Sequence, residues 1–287
     1  MKTVFSYGAE ALLTLTDLFE NSLPGLHIVG PDGLIRRANH ADMELLGYGE
    51  SPEEYLGHHV SEFHAEREAV EHMLEGLAHD RPLVNYHAQL VARDGSRRPV
   101  LIDSNSRMDG TTFLNTRCFT RPHDDARAWS APRRGRSRAE LVEQLDALSE
   151  DEKCLRFDEL NDFFENAVVG MHVVGPDGVI RWANRAELAF MGYADRPGDY
   201  IDHHVAEFHA DPEVIDEMLE RLLNDEPLRN HPARLTGSGR RLRSVVIYSN
   251  SRFDGGQFVN TRCFTFPAAQ AAAPDAGRFS WPGSDGR

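Results

Sequence analysis

Cysteine is scarce in this chain of 287 residues, which contains only Cys118, Cys154 and Cys263. An odd number of cysteines without a C-x-x-C spacing predicts neither a disulfide framework nor a zinc knuckle. Long apolar runs are also missing, and none approaches the roughly 20 residues that span a bilayer. Glu10 and Asp17 interrupt the apolar N-terminal stretch, which argues against a secretory signal. We therefore expect a reduced, cytoplasmic protein without a membrane segment.

Positive charge is in short supply, since 31 basic side chains face 46 acidic ones and the net charge is −15. Binding to nucleic acid needs clustered Lys and Arg against phosphate, so we do not expect the chain as a whole to bind it. One stretch is an exception and holds six arginines: Arg121, Arg127, Arg133, Arg134, Arg136 and Arg138. We interpret it as a solvated linker, with a contact to nucleic acid or an acidic partner as the alternative.

The motifs of common catalytic folds are missing as well. The sequence has no P-loop, no glycine-rich kinase loop, no nucleophile elbow and no H-E-x-x-H zinc motif. We therefore predict that the protein is not an enzyme.

An internal duplication organises the chain. Residues 19–120 align without a gap to residues 164–265, an offset of 145, and 53 of the 102 aligned positions are identical. A unit of this size can bury its own core, and two copies at such a long period indicate tandem domains and not a solenoid.

Each repeat predicts the same order of elements. Two β-branched runs around Pro-Asp-Gly predict a hairpin. Val70, Met73, Leu74 and Leu77 have the spacing of an amphipathic helix, and three apolar runs follow as strands. Two strands, several short helices and three strands predict an α+β domain, a five-stranded antiparallel sheet with the helices packed on one face.

A helical pattern precedes each repeat. The second, at 139–167, would be about 40 Å long if it were continuous. Its imperfect apolar stripe consists of Leu141, Leu145, Leu148, Leu155, Leu160 and Phe163. Such a helix could pack on the sheet of its own domain, or it could form a dimer and carry a signal. Beyond Pro267 the chain is rich in small residues, Pro and Gly, which predicts disorder.

The duplicated unit resembles the PAS family of sensor domains. The resemblance is carried by G-P-D-G-x-I-R-x-A-N at 30–39 and 175–184, by the following helix that ends in L-G-Y or M-G-Y, and by the closing strands. It covers 19–121 and 164–266. The closing strands end in Arg-Pro and Phe-Pro, where many members of the family have Arg-Asp.

The resemblance implies a sheet around a pocket that binds a small molecule, a cofactor or a partner, and flanking helices that pass on a change. We predict a tandem PAS protein without a recognisable output domain, in which a long helix joins the domains. The expected parts are an N-terminal helix at 1–18, PAS-like domain 1 at 19–121, a basic linker and connecting helix at 122–163, PAS-like domain 2 at 164–266, and a disordered tail at 267–287.

Histidines recur in the run H-H-V-x-E-F-H-A at 58–65 and 203–210. On one regular helix His58 and His64 would lie on different faces, so they could not share a metal as neighbours. A metal site would need a further ligand such as His27, or its equivalent His172. The other interpretations are a pocket wall whose histidines bind backbone, and a pH sensor, because imidazole titrates near pH 6.5.

A single histidine can hold haem iron, which makes His64 and His209 the haem candidates. The resemblance implies a haem ligand on the long helix, but the first repeat has His72 there and the second has Glu217. The light-sensing relatives need a cysteine just before the long helix, and this sequence has none there, so flavin is not expected. Cys118 and Cys263, on the last strands, are interpreted as packing residues.

Asparagine and arginine alternate on the closing strands. Asn105 and Arg107 should point to one side of the sheet, as should Asn115 and Arg117. If this patch faces inward, it would bind a carboxylate or another polar ligand. If it faces outward, it would pair with a helix or a second subunit. A third interpretation is structural, with Arg107 bound to Glu62 and, in the second repeat, Arg252 bound to Glu207.

These patterns give one hypothesis for a binding site. Its candidate residues are His58, His59, Glu62, His64, Asn105, Arg107, Asn115, Arg117, His203, His204, Glu207, His209, Asn250, Arg252, Asn260 and Arg262. The expected function is sensory or regulatory signal transduction, in which the chain binds a small molecule or a partner and acts through protein contacts. The alternatives are a haem- or metal-binding redox or gas sensor, and a ligand-free dimerisation scaffold. We expect a homodimer and a partner such as a kinase or a transcription regulator. The cofactor, if any, is unknown.

Overall fold

The computed structural model describes residues 8–123 and 135–268, and each repeat forms a five-stranded antiparallel sheet. The first half contains α1 (Ala9–Glu20), β1 (Gly25–Val29), β2 (Ile35–Ala38), α2 (His40–Leu46), α3 (Arg67–Ala78), β3 (Leu83–Val91), β4 (Arg97–Asp109) and β5 (Thr112–Pro122). The second half contains α4 (Arg138–Asp146), α5 (Glu150–Glu165), β6 (Gly170–Val174), β7 (Ile180–Ala183), α6 (Arg185–Met191), α7 (Pro212–Leu223), β8 (Leu228–Gly237), β9 (Arg241–Asp254) and β10 (Gln257–Pro267).

The strand orders are β2-β1-β5-β4-β3 and β7-β6-β10-β9-β8, so the last strand of each repeat lies at the centre of its sheet beside the first. This arrangement confirms the predicted α+β fold. No helix in the described part of the chain is long and apolar enough to cross a membrane. Most of the predicted basic linker, at 124–134, and the predicted disordered tail from 269 onward lie outside the described residues, as do residues 1–7.

The segment at 139–167 is not one long helix, and this part of the prediction was wrong. α4 ends at Asp146, and α5 begins at Glu150. Ser149 caps the new helix: its side chain accepts a hydrogen bond from the Glu152 backbone N–H, and the Glu152 carboxylate accepts from the Ser149 backbone N–H at 2.8 Å. This reciprocal S-x-x-E capping box is a signal for a helix start, and here it interrupts the apolar stripe.

The Pro-Asp-Gly hairpin is tied to the histidine run that follows it. Gly33 has a φ of +75°, the left-handed region that suits glycine, and an added Cβ would overlap the His59 ring. Gly178 and His204 repeat the same contact in the second repeat. One role of this histidine is therefore to pack over the glycine of the turn.

Within the described residues, the buried apolar side chains form three clusters. Two of them lie inside the repeats, between each sheet and the helices on its inner face. The third joins α1, α4 and α5 to the outer faces of both sheets. Phe119 of the first sheet lies 5.2 Å from Phe163 and 6.3 Å from Phe264 of the second sheet, measured between ring centroids. The two repeats therefore share a core that neither could complete alone.

Candidate functional site

The helix before the second repeat packs on the sheet of the first. Asp162 of α5 accepts hydrogen bonds from Arg117 at 2.7 and 3.0 Å, and its Oδ2 lies 3.6 Å from Nε of Arg107. Beside this pair, the side-chain amide of Asn105 donates to the backbone oxygen of Asn166 at 2.7 Å. These contacts fix the C-terminal half of α5 to strands β4 and β5.

The helix before the first repeat packs on the sheet of the second in the same way. Asp17 of α1 accepts hydrogen bonds from Arg262 at 2.8 and 3.0 Å, and Nε of Arg252 lies 3.9 Å from its Oδ2. The side-chain amide of Asn250 donates to the backbone oxygen of Asn21 at 2.7 Å. We call α1 and α5 the exchanged helices, because each lies on the sheet of the other repeat. Asp17 and Asp162 are separated by the repeat offset of 145.

The Asn/Arg patch of the closing strands faces these helices. Asn105 lies directly opposite Arg117 across the strand pair, and Arg107 lies opposite Asn115, so all four share one face. Ser104, next to Asn105 in sequence, lines the inner cavity, so the patch lies on the outer face. Asn250, Arg252, Asn260 and Arg262 occupy the equivalent positions of the second sheet. The ion pairs that the structure shows for Arg107 and Arg252 are with Asp162 and Asp17, and not with Glu62 and Glu207.

The guanidinium of Arg117 is nearly out of solvent, with its side chain 5% exposed. Burial lowers its pKa, and the Asp162 carboxylate opposes that shift. Without the Asp162 carboxylate, this buried cation would carry a desolvation cost that its remaining hydrogen bond, to the Ser106 backbone oxygen, offsets only in part. The exchanged helix is therefore electrostatically required by the sheet on which it lies.

The inner face of the first sheet carries a buried polar network. Nδ1 of His27 lies 3.2 Å from Oδ1 of Asp42, and the hydroxyl of Tyr55 donates to Oδ2 of Asp42 at 2.8 Å. The same histidine lies directly opposite Cys118 in the β1–β5 pairing, and the two side chains interact electrostatically. The Cys118 sulfur also lies 2.9 Å from the hydroxyl of Ser104.

The second repeat has the same network with glutamate in place of aspartate. Nδ1 of His172 lies 3.1 Å from Oε1 of Glu187, which also accepts from the Tyr200 hydroxyl at 2.8 Å. Cys263 again pairs with the histidine, and its sulfur lies 3.0 Å from the hydroxyl of Ser249. We call these two sets the thiol–histidine networks.

A glycine makes room for each carboxylate. A Cβ added to Gly25 would lie 2.6 Å from Oδ1 of Asp42 and 3.1 Å from its Cα. Gly170 stands in the same relation to Glu187. The added Cβ of a side chain at Gly25 would press on the Asp42 backbone as well as on its carboxylate. It would therefore push the Asp42 carboxylate away from His27.

The charge of the network histidines follows from these contacts. Burial alone would lower the pKa of His27, but Asp42 and Cys118 outweigh it and raise that pKa well above its ordinary value. In the second repeat, Cys263 and Glu187 overcome burial in the same way and raise the pKa of His172 to about 10. In both domains the raised pKa favours the protonated ring.

A small cavity adjoins each network. In the first repeat its volume is about 30 Å³, and it is lined by His27, Cys118 and His64 and by apolar side chains of α3. The cavity of the second repeat is about 20 Å³ and is lined by His172, Cys263 and His209 and by apolar side chains of α7. Volumes of this size hold one or two water molecules.

His64 and His209 are the predicted histidines that reach these cavities. Burial, followed by the nearby charge of His27, lowers the pKa of His64 to about 4, and burial and His172 lower that of His209 to about 4. Both imidazoles are therefore neutral at pH 7, in contrast to the protonated ring across the cavity.

The other predicted histidines cap a short 3-10 turn at Val60–Phe63. Nδ1 of His59 accepts from the Ser61 backbone N–H at 3.3 Å, and Glu62 accepts from the His59 backbone N–H at 3.0 Å. His58 lies 3.3 Å from Glu62 at the surface. His203, His204 and Glu207 repeat this cap before Phe208. These residues lie outside the lining of the cavities.

Two family models match the chain in sequence. One, described as a PAS domain, covers residues 24–118, and the other, described as a PAS fold, covers 164–258. The chain belongs to the PAS family. It is a tandem PAS protein, as the duplicated motifs predicted, and none of the curated proteins compared with it matches.

Solved structures resemble single parts of the chain or most of it. The PAS domain of an HTR-like protein from Haloarcula marismortui is 28% identical over 39% of this chain and 92% of its own, with a TM-score of 0.35. An RNA-binding light-oxygen-voltage receptor is 12% identical over 85% of this chain and 95% of its own, with a TM-score of 0.34. A domain of a sensory box sensor histidine kinase/response regulator from Geobacter sulfurreducens is 19% identical over 38% and 90%, with a TM-score of 0.33.

Haem does not fit these two PAS cavities in the structure. Each cavity next to His64 or His209 has room for one or two waters, far too little for a planar macrocycle. Within residues 8–123 and 135–268, no group of three or more His, Cys, Asp or Glu side chains could hold a metal ion.

Sequence reasoning did not find these networks, and it interpreted Cys118 and Cys263 as packing residues. Asp42, Tyr55, Ser104 and Thr116 were not among the predicted site residues, and His27 entered only as an additional metal ligand. A signal was present, because polar residues stand at the centres of strands and recur at the offset of 145. That pattern alone could not show which of them meet across the sheet.

Proposed function

We propose that this tandem PAS protein is a sensory regulator in which each domain reports on its inner cavity through the exchanged helix on its outer face. PAS domains are sensory modules, and both domains are present. In each domain, one strand of the sheet would carry the signal from the cavity to the helix.

The observation that carries the proposal is the alternation along β5. Thr116 and Cys118 line the inner cavity, while Arg117 between them points outward and binds Asp162 of α5. A change in the cavity that moves this strand must therefore move the anchor of the helix. Thr261, Arg262 and Cys263 give β10 the same alternation toward Asp17 of α1.

The exchange also bears on assembly. Helices of the same chain already cover the outer faces of both sheets. A second subunit is therefore not needed to cover them. The homodimer that we expect must then use other faces, and its output would be read by a protein partner such as a kinase or a transcription regulator. We propose a cytoplasmic protein without catalytic activity of its own.

A matched pair of cavity-filling variants tests the route. Val60→Ile adds one methylene to the first cavity, and Val205→Ile adds one to the second. Hydrogen exchange should become faster in α5 for the first variant and in α1 for the second. If exchange changes only in α3 or α7, which cover the cavities, the proposed route is wrong.

The ligand-free scaffold is a second candidate, and the small size of the cavities favours it. Mass spectrometry of material released by denaturing the purified protein distinguishes the two. A small molecule recovered in stoichiometric amount supports the ligand-binding sensor, and recovery of none supports the scaffold or a sensor that responds by modification.

A further inference from the structure

We propose that Cys118 is a peroxide-reactive thiol, that its thiol–histidine network forms the reaction site, and that Cys263 is its counterpart in the second domain. The thiol would react stoichiometrically with hydrogen peroxide. The chemistry stands without the proposed function, but its consequence for signalling rests on the route through the exchanged helices.

The Cys118 sulfur is surrounded by groups that stabilise negative charge. His27 on β1 is its direct strand partner, the Ser104 hydroxyl on β4 lies 2.9 Å from it, and the thiol donates to the Thr116 hydroxyl oxygen on β5 at 3.1 Å. Thr116 Oγ1 also accepts from the Val29 backbone N–H, so once the thiol loses its proton the Thr116 hydroxyl can turn its own proton toward the sulfur. A deprotonated sulfur at this position would be able to accept from both hydroxyls beside a protonated His27, and neighbours of this kind lower the pKa of a thiol.

The groups around the sulfur set the charge of His27. Asp42 on α2 fixes the orientation of His27 and stabilises its protonated form, while Tyr55 holds Asp42 from the other side. His64, across the cavity, is neutral at pH 7 because its pKa is about 4. Burial acts to raise the pKa of Cys118, but His27 and the two hydroxyls outweigh it and lower the pKa below its usual value. The thiol and His27 therefore shift each other's pKa in opposite directions, that of the thiol downward and that of the imidazole upward.

The cavity limits what can react. Cys118 is 5% exposed, but it lines a space of about 30 Å³ that holds one or two waters. Hydrogen peroxide is about the size of two waters, whereas an organic hydroperoxide is not. Cys154 is exposed and lies on α5 outside either network, so it serves as an internal reference thiol.

The reaction balances with the groups present. The thiolate sulfur attacks one oxygen of hydrogen peroxide, the S–O bond forms and the O–O bond breaks. The departing hydroxide takes a proton from the His27 imidazolium and leaves as water. Sulfur is oxidised by two electrons to a sulfenic acid, and the peroxide is reduced; a thiol reductant would restore the cysteine. The product replaces a charged sulfur by a larger neutral group next to Arg117, the anchor of α5.

The expected rate follows from ionisation. An ordinary thiol with a pKa of about 8.5 is roughly 3% thiolate at pH 7, so full ionisation raises its reactivity by at most about 30-fold. A thiolate of lower pKa is also less nucleophilic. We therefore expect Cys118 to react with hydrogen peroxide about tenfold faster than Cys154 at pH 7.

The test is performed on the full chain with hydrogen peroxide, and sulfenic acid is trapped with a dimedone reagent and assigned by peptide mass spectrometry. Oxidation of Cys118 should be about tenfold faster than that of Cys154, and its rate should level off at lower pH. Cumene hydroperoxide should reverse this preference, because it does not fit the cavity. Equal or slower oxidation of Cys118 by hydrogen peroxide would overturn the proposal.

Variants separate the network from simple burial. His27→Gln should remove most of the advantage of Cys118 over Cys154. If that variant does not fold, Asp42→Asn and Asp42→Glu provide the comparison, since Glu187 fills this position in the second domain. Asp42→Asn should slow Cys118 several-fold while Asp42→Glu retains its rate, and equal rates in the two would refute the role of the network. Oxidation without any change in α5 exchange would leave the chemistry intact and count against the proposed route.

Discussion

The clearest energetic prediction concerns the anchor between α5 and the first sheet. Asp162→Asn keeps the size of the side chain but removes the charge that faces Arg117 and Arg107. The Arg117 side chain is 5% exposed and that of Asp162 is 21% exposed. Breaking a buried ion pair by removing one partner costs about 3–5 kcal/mol, and the partial exposure of Asp162 places the cost at about 3 kcal/mol.

A surface pair provides the control. Arg93 and Glu54 form a two-point ion pair in which both side chains are nearly half exposed. Glu54→Gln should cost about 0.5 kcal/mol, because exposed pairs contribute little. Thermal unfolding followed by circular dichroism should show a Tm lower by roughly 6 °C or more for Asp162→Asn. A loss no larger than that of Glu54→Gln would refute the reasoning.

Further predictions follow from the turn and from the buried histidines. Gly33→Ala should lower the free energy of unfolding by about 2–3 kcal/mol, because the new Cβ would both occupy a left-handed backbone position and overlap the His59 ring. The control is Gly95→Ala, which has a φ of +80° but open space around it and should cost about 1 kcal/mol in the same denaturant titration. Equal losses in these two variants would contradict the contact with His59. The pKa of His64 is about 4 in the folded protein, against an ordinary 6.5. As pH drops from 6.5 toward 4, the unfolded chain therefore takes up a proton that the folded chain does not, and the free energy of unfolding should fall by about 3 kcal/mol. When the free energy of unfolding is measured between pH 6.5 and 4, His64→Gln should remove this loss and the control His58→Gln should not. The same loss in His64→Gln as in the unaltered protein would count against a buried neutral ring. The pKa of His172 is raised to about 10, so its effect on stability has the opposite sign. Its stabilising contribution is complete below pH 6.5 and is lost as pH rises toward 10. His172→Gln should therefore reduce the fall in the free energy of unfolding between pH 6.5 and 10.

Much of the fold could be predicted from the sequence because the signals are local and repeated. The hairpin at Pro-Asp-Gly, the amphipathic spacing from Val70 to Leu77 and the order of the strands require only periodicity and turn chemistry. The break before α5 could also have been read, from the S-x-x-E run at Ser149. The apolar stripe hid it, because Leu148 and Leu155 look continuous across the break, although Leu155 is 70% exposed.

The site was harder to predict because its contacts are distant in sequence. Alternation correctly placed Asn105 and Arg107 on one face, but it could not show whether that face is inner or outer. The partner of Arg262 is Asp17, 245 residues away, on a helix that precedes the other repeat. A sequence pattern carries no direct information on such an exchange. The prominent histidine runs drew attention to His58 and His59, whose principal contacts are local caps.

The exchange of helices is the central claim, and hydrogen exchange of two matched variants tests it most directly. Asp162→Asn should increase exchange in α5 and in β4 and β5 of the first sheet, while β9 and β10 stay protected. Asp17→Asn should do the reverse, increasing exchange in α1, β9 and β10 and leaving β4 and β5 protected. If either variant instead deprotects the sheet of the repeat that its own helix precedes, the helices are not exchanged and the account fails.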